Sequence, residues 1–332
     1  MTDTAGSVAT DPPGRSGPAP AGRALVIGEA LVDVVRRLDG STQEHPGGSP
    51  ANVALGLGRL DRPVDLLTWI GTDERGRTVR EHLERSAVRL TPGSDGADHT
   101  SVATATLDAS GAATYTFDLD WQVPAEAVPD LTDVVVVHTS TIGAARAPGG
   151  PAVLRILAES RLDATITYDP NIRPDLLGDH DEARDLVERL VALADVVKVS
   201  DEDLAWLEPG ARPHDVAVRW ATRGPALVVV TRGGEGALAV TAGGVEVDVP
   251  APRVDVADTV GAGDSFMAGL VDGLWSAGLL GAMHRIALGG VGAEVLVPVL
   301  ERCARIAAVT VSRPGADPPR AAEVDGGAPA PA

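Results

Sequence analysis

"ATITYDPNIRPDLLGDHDEARDLVERLVALADVVKVS", residues 164–200, carries two apolar strand-like runs separated by one helix-like run. The runs "ATITYD" (164–169) and "DVVKVS" (195–200) read as strands, and "DEARDLVERLVALA" (181–194) between them reads as a helix. A strand, a helix and a second strand in that order predict a parallel βαβ unit. The alternation continues outward in both directions. Further strand-like runs are "ALVIG" (24–28), "VDLLTW" (64–69), "VVVVH" (134–138) and "ALVVVT" (226–231). Helix-like segments are "PANVALGLGRL" (50–60), "DERGRTVREHLERSA" (73–87) and "PAVLRILAES" (151–160). Several strand runs are nearly continuous in apolar residues, which marks strands covered on both faces. The expected fold is α/β: a doubly wound, mostly parallel sheet flanked by helices.

One region departs from this pattern. "HTSVATATLDASGAATYTFDLDW" (99–121) alternates with period two around an Asp-Ala-Ser-Gly-Ala turn, as a β-hairpin with one open face does. "ALVDVVRRLDGSTQEH" (30–45) supplies candidate neighbouring strands, so a small β-sheet lid is expected. Its open apolar face has to be covered by ligand closure or by another subunit, which predicts a homodimer through the lid. Residues 1–22 and 317–332 are rich in Pro, Gly and Ala without periodicity and read as disordered tails, leaving one domain over 23–316.

Bulk properties remove whole classes of function. A formal charge of -19 repels polyanions, so neither nucleic acid nor an anionic membrane is an expected partner. No run approaches the roughly 18 apolar residues that a membrane span requires. The opening residues lack an apolar h-region, so no signal peptide is expected. A single cysteine, Cys303, excludes an internal disulfide and suits a reducing cytoplasm.

"DTVGAGDS" (258–265) carries the chemistry. A glycine turn at a helix N-terminus offers unpaired N–H groups and the positive end of the helix dipole to an anion. The P-loop is excluded, because the only lysine, Lys198, follows Val197 rather than a glycine. A dinucleotide fingerprint is equally poor, since Gly261 and Gly263 are followed by Phe266 late in the chain. Asp264, directly behind Gly261, Ala262 and Gly263, is either a helix cap or a base beside an anion hole. Phosphoryl transfer to a hydroxyl needs donors for the developing charge and a base beside them for the proton, and a carboxylate directly behind an anion hole supplies both within one turn. A second glycine turn, "PGGSPANVALGLGRL" (46–60), places Asn52 in the first turn of a helix, as a cap or as a ligand for a sugar hydroxyl. Glu29 and Asp33, in "GEALVD", stand past the end of the first strand, where open α/β sheets bind ligands.

Together "PGGSPANVALGLGRL" and "DTVGAGDSFMAGL" resemble the two signature motifs of the ribokinase-like (PfkB) carbohydrate kinases. The resemblance covers residues 24–316, and "YDPNIRPDLLG" (168–178), "VKVSDEDLAWL" (197–207) and "SRPGADPP" (312–319) are similar to segments of bacterial fructokinases. It implies ATP-dependent phosphorylation of a small sugar, D-fructose first. Ribose, 2-keto-3-deoxygluconate and nucleosides are the alternatives, and a non-catalytic sugar-binding protein is a more distant one. It implies Asp264 as base and Gly261–Gly263 as anion hole. Asp33, Gly48, Asn52 and Arg173 become sugar ligands, and Thr231, Gly233 and Gly236 in "TRGGEG" become nucleotide ligands. Lys198 matches a lysine that contacts the γ-phosphate in some members. The family's Asn-x-x-Glu, which organises Mg²⁺ through water, reads Ser200-Asp201-Glu202-Asp203 here, so Ser200 and Asp203 inherit that place with altered side chains. Asp258 matches a monovalent-cation position, which implies K⁺.

Overall fold

The computed structural model describes residues 21–107, 113–124 and 129–326. β1 (Arg23–Ile27) opens a large sheet and leads into two strands of a smaller one, β2 (Leu31–Arg36) and β3 (Thr42–Gly47). Next come α1 (Ser49–Arg59), β4 (Val64–Leu67), α2 (Glu74–Glu84) and β5 (Val88–Leu90). The hairpin β6 (Val102–Leu107) and β7 (Ala113–Asp118) belongs to the smaller sheet. The chain returns through β8 (Val134–Ser140), α3 (Thr141–Ala145), α4 (Gly150–Ser160), β9 (Thr165–Asp169) and α5 (Pro174–Leu177). α6 (His180–Leu193), β10 (Val196–Ser200), α7 (Asp201–Leu207), α8 (Pro213–Ala221) and β11 (Leu227–Thr231) extend the same alternation. β12 (Ala237–Thr241) and β13 (Glu246–Val249) precede α9 (Ala262–Ser276), α10 (Arg285–Gly289), α11 (Ala293–Val311) and α12 (Ala321–Asp325).

Nine strands order as β13-β12-β11-β10-β9-β8-β1-β4-β5. All neighbours are parallel except β11–β12 and β12–β13, an antiparallel edge that the βαβ pattern does not announce. Each strand sends alternate residues to opposite faces. In β11, Leu227 and Val229 join the core beneath α1, α9 and α11, while Val228 and Val230 join the core beneath α4, α6 and α8. Burying such a side chain contributes about 1.5–3 kcal/mol, and apolar residues on both faces are what made the strand runs nearly continuous.

The chain leaves β1 toward β4 and returns as β8 on the other side, so the order reverses at the β1/β8 boundary. Parallel register carries the carboxyl ends of the strands to one edge: Ile27 pairs with Thr139, Ser140 with Asp169, and Ser200 with Thr231. A crevice at that edge and that reversal is where doubly wound sheets bind ligands.

The smaller sheet orders as β3-β2-β6-β7 and stands beside this edge. The turn expected at 108–112 lies outside the described residues, as do 1–20 and 327–332 of the two expected tails. Ordered contacts continue past the expected boundary at 316. Arg59 donates to Asp317 Oδ1 and to the Pro318 carbonyl at 2.5 Å each, and α12 follows. A segment poor in apolar residues is held here by an arginine from α1, a long-range contact that composition does not reveal.

Candidate active site

α1 and α9 are the two helices that carry the central carboxylate and its partners, and they pack directly on each other. A buried ion pair fastens them: Arg62, just past α1, donates from Nε to Asp272 Oδ1 of α9 at 2.7 Å. Gly261 is the N-cap of α9 and sits at φ 76, a conformation only glycine adopts at little cost. A Cβ there would also lie 2.6 Å from that of Ala316, which packs against the turn. The N-cap of α9 makes no side-chain cap hydrogen bond, which leaves N–H groups of the first turn, that of Gly263 among them, without an intrahelical partner.

Asp264 is therefore not a cap. It occupies the third position of α9 and faces α1. Its Oδ1 accepts from the Ser49 hydroxyl at 2.7 Å and its Oδ2 from Asn52 Nδ2 at 2.8 Å. Asn52 is not a cap either, because the N-cap of α1 is Gly48, at φ 101. A side chain on Gly48 would strike the Glu29 carbonyl oxygen at 2.5 Å, so this glycine lets α1 start directly against the end of β1. With its amide nitrogen committed to Asp264, Asn52 has its carbonyl oxygen left for a ligand. Ser49 was missed from sequence, although it stands inside the glycine-turn motif and three residues from Asn52.

Glu29, Asp33 and Arg173 converge on the same crevice. Glu29 is buried, and its Oε2 has no hydrogen-bond partner among the described residues. Burial pushes its carboxyl up to about 7, with Arg173 opposing and Asp264 adding to the rise. Burial likewise pushes Asp33 up to about 6 against the pull of Arg173 and His45. Glu29 and Asp33 thus share the field of one guanidinium, whose Nη1 also donates to the Ile172 carbonyl at 2.9 Å.

On the other side of Asp264, Lys198 of β10 is buried and its Nζ meets Asp169 Oδ2 at 2.8 Å. Burial works against its charge, but the carboxylates of Asp169, Asp203 and Asp264 hold the ammonium above the ordinary lysine value. Ser200 is the N-cap of α7 and accepts from the Asp203 N–H at 3.0 Å. Asp203 Oδ1 accepts from Ile172 N–H at 3.0 Å, which leaves its second oxygen for a water-bridged cation. Among the described residues no group of three or more His, Cys, Asp or Glu side chains is placed to hold a metal. That donor set fits Mg²⁺ carried chiefly by phosphates and water. Thr231 ends β11, and Gly233–Glu235 form a short 3₁₀ turn before Gly236. Asp258 accepts from Val260 N–H at 3.0 Å and Gly315 N–H at 2.9 Å, so it clasps the loop and keeps only its remaining lone pairs for a cation. Trp121 is a core residue whose Nε1 donates to the Gly143 carbonyl at 2.7 Å. Tyr115 and Phe117 stack on the lid with centroids 6.2 Å apart.

A glycine turn, a carboxylate held by two donors and a polar crevice at the strand ends suit phosphoryl transfer to a hydroxyl. The sequence matches the profile of the pfkB family carbohydrate kinases over residues 22–322. The chain belongs to that family. It is 35% identical to a fructokinase of Klebsiella pneumoniae over 78% of this chain and 86% of the relative. An aminoimidazole riboside kinase of Salmonella typhimurium is 33% identical over 74% and 79% of the two chains. The crystal structure of a Xylella fastidiosa fructokinase with bound ATP superposes with TM-score 0.80 at 25% identity, covering 91% of this chain and 96% of that one. A Vibrio cholerae fructokinase bound to fructose, ADP and a potassium ion superposes with TM-score 0.74 at 25% identity, over 89% and 94%. This carbohydrate kinase is an ATP-dependent sugar kinase, fructokinase-like in sequence and fold. No helix among the described residues is long and apolar enough to cross a membrane.

Proposed function

We propose that the enzyme phosphorylates D-fructose, with Asp264 as general base. The observation that carries this is the position of Asp264, one residue behind the glycine turn and gripped by Ser49 and Asn52. Asp264 takes the proton as the sugar oxygen bonds to the γ-phosphorus; the bond to the β-phosphate oxygen breaks and ADP leaves. The Gly261–Gly263 turn and Lys198 stabilise the charge on the moving group. Thr231, Gly233 and Gly236 hold the nucleotide, and Ser200 caps the helix that presents Asp203. When bound, Mg²⁺ would neutralise phosphate charge and Asp203 would hold it through water; Asp258 would hold K⁺, the ion named with the Vibrio cholerae relative. Asp33, Gly48, Asn52 and Arg173 line the sugar side. The excess of carboxyl groups over the single guanidinium favours a neutral polyol over an acidic or phosphorylated sugar.

A nucleoside is the second reading, favoured by one row across the lid. Asp33 pairs with Ala103, and Ala103 pairs with Phe117, so an aromatic ring lies on the face that carries Asp33. ADP release over fructose, ribose, 2-keto-3-deoxygluconate, aminoimidazole riboside and adenosine separates the readings. Fructose is expected to give the highest kcat/KM, with the rate falling when Mg²⁺ or K⁺ is left out. A tenfold preference for ribose or a nucleoside would overturn the fructose assignment while the kinase stands.

The lid face is also the proposed dimer surface. Tyr115 is 55% exposed and lies opposite Ala105, on the face shared by Asp33 and Phe117. A second lid laid on this face would cover it. Sedimentation at micromolar concentration is expected to show a dimer, and Tyr115→Glu a monomer. A wild-type monomer would sink the proposal. A cytoplasmic location fits the buried, unpaired Cys303.

A further inference from the structure

Asp169 ends β9 and is 1% exposed. One of its oxygens takes the Lys198 ammonium at 2.8 Å, and Oδ1 has no hydrogen-bond partner among the described residues. The lysine in turn reaches the glycine turn of α9: a Cβ built on Gly263 would lie 2.8 Å from Lys198 Nζ. The ammonium therefore fills the space directly behind the turn that the missing side chain leaves open. A lysine stem is flexible, and a buried ammonium without a counter-charge relaxes toward water or loses its proton. Of the carboxylates whose charge Lys198 feels, Asp169 alone among the described residues stands at hydrogen-bond distance. Burial holds His138 of β8 down at about 3, so it is neutral. Asp203 is bonded to the Ile172 N–H, and Asp264 to Ser49 and Asn52.

We propose that Asp169 is a positioning residue that pins the Lys198 ammonium against the Gly261–Gly263 turn, so that turn and lysine form one anion-binding unit for the transferred phosphoryl group. The backbone fixes the carboxylate in place. Two residues beyond it Asn171 takes φ 41, which turns the chain so that Ile172 binds Asp203 and Arg173 enters the sugar side. Asp169 thus stands where one strand end serves both halves of the site. The proposal rests on Lys198 and the turn being the phosphoryl site.

A double-mutant cycle on the full chain tests it, with kcat and KM for ATP measured at saturating sugar. Lys198→Met and Asp169→Asn are each expected to lower kcat/KM for ATP about tenfold or more while sugar KM stays within about twofold. The double variant is expected to be no worse than Lys198→Met alone, because a residue acting only through the lysine has nothing left to hold. Asp169→Glu, which keeps the charge, is expected to retain more activity than Asp169→Asn. Losses that multiply in the double variant would show Asp169 acting independently and overturn the proposal. If Lys198→Met leaves ATP kinetics unchanged, Lys198 is not part of the phosphoryl site and the proposal falls with it. If Lys198→Met is impaired and Asp169→Asn is not, the lysine keeps its role and Asp169 loses its own. Should Asp169→Asn alone not fold, the comparison still stands between the uncharged double variant and Lys198→Met.

Discussion

Asp264→Asn is expected to lower kcat by about 10²–10⁴, the range for losing a positioned general base, with little change in the melting temperature. Asparagine matches aspartate in shape and keeps an acceptor oxygen for the Ser49 hydroxyl, which donates to Oδ1 at 2.7 Å. Its amide nitrogen, however, would confront the Asn52 Nδ2 that now donates to Oδ2 at 2.8 Å. One hydrogen bond is exchanged for a donor–donor contact, so some local rearrangement of Asn52 accompanies the loss of the base. Because α9 has no side-chain cap, the substitution does not cost the helix a terminal hydrogen bond. The measurement is steady-state turnover at saturating fructose and ATP together with a thermal melt. Near-normal turnover in a folded variant would remove Asp264 as the base. An inactive variant that melts far below the wild type would leave folding, rather than chemistry, as the cause.

Asp33→Ala is expected to raise the sugar KM roughly ten- to a hundred-fold and leave the ATP KM nearly unchanged. A hydrogen bond from a hydroxyl to a carboxylate contributes about 1.5–3 kcal/mol, and each 1.4 kcal/mol is about tenfold in affinity. The selectivity follows from place: Asp33 lies on β2 of the small sheet, whereas the turn proposed to hold the nucleotide follows β11 of the large one. A pH signature accompanies it. Burial raises the Asp33 carboxyl to about 6, so the acceptor form is present above that value and is lost as pH falls through it. Sugar KM should therefore climb below about pH 6 in the wild type, and this limb should vanish in Asp33→Asn. Glu29, raised by burial to about 7, titrates just above and would leave its own limb in place. An equal loss of ATP affinity would move Asp33 to the wrong half of the site; an unchanged sugar KM would remove it altogether.

The division between what sequence and structure each contribute runs along the chain's contact distances. The βαβ unit at 164–200 appears as β9, α6 and β10, and the lid strands at 30–45 and 99–121 appear as one separate sheet. Both were legible because burial periodicity is set by near neighbours: two covered faces give continuous apolar runs, and one covered face gives alternation. The glycine turns were legible for a similar reason, since a positive φ at Gly48 and Gly261 has to be written as glycine at that position. The antiparallel edge β12–β13 and the hold of Arg59 on Asp317 and Pro318 were not. Nor was the assembly of the site. Ser49 and Asn52 reach Asp264 across 215 and 212 residues, and Asp169 reaches Lys198 across 29. Sequence alone determined which residue types could perform phosphoryl transfer. Which of them touch was decided only by strand order and helix packing, because a side-chain hydrogen bond forms where two distant backbones bring donor and acceptor within about 3 Å, and no local spacing records that meeting.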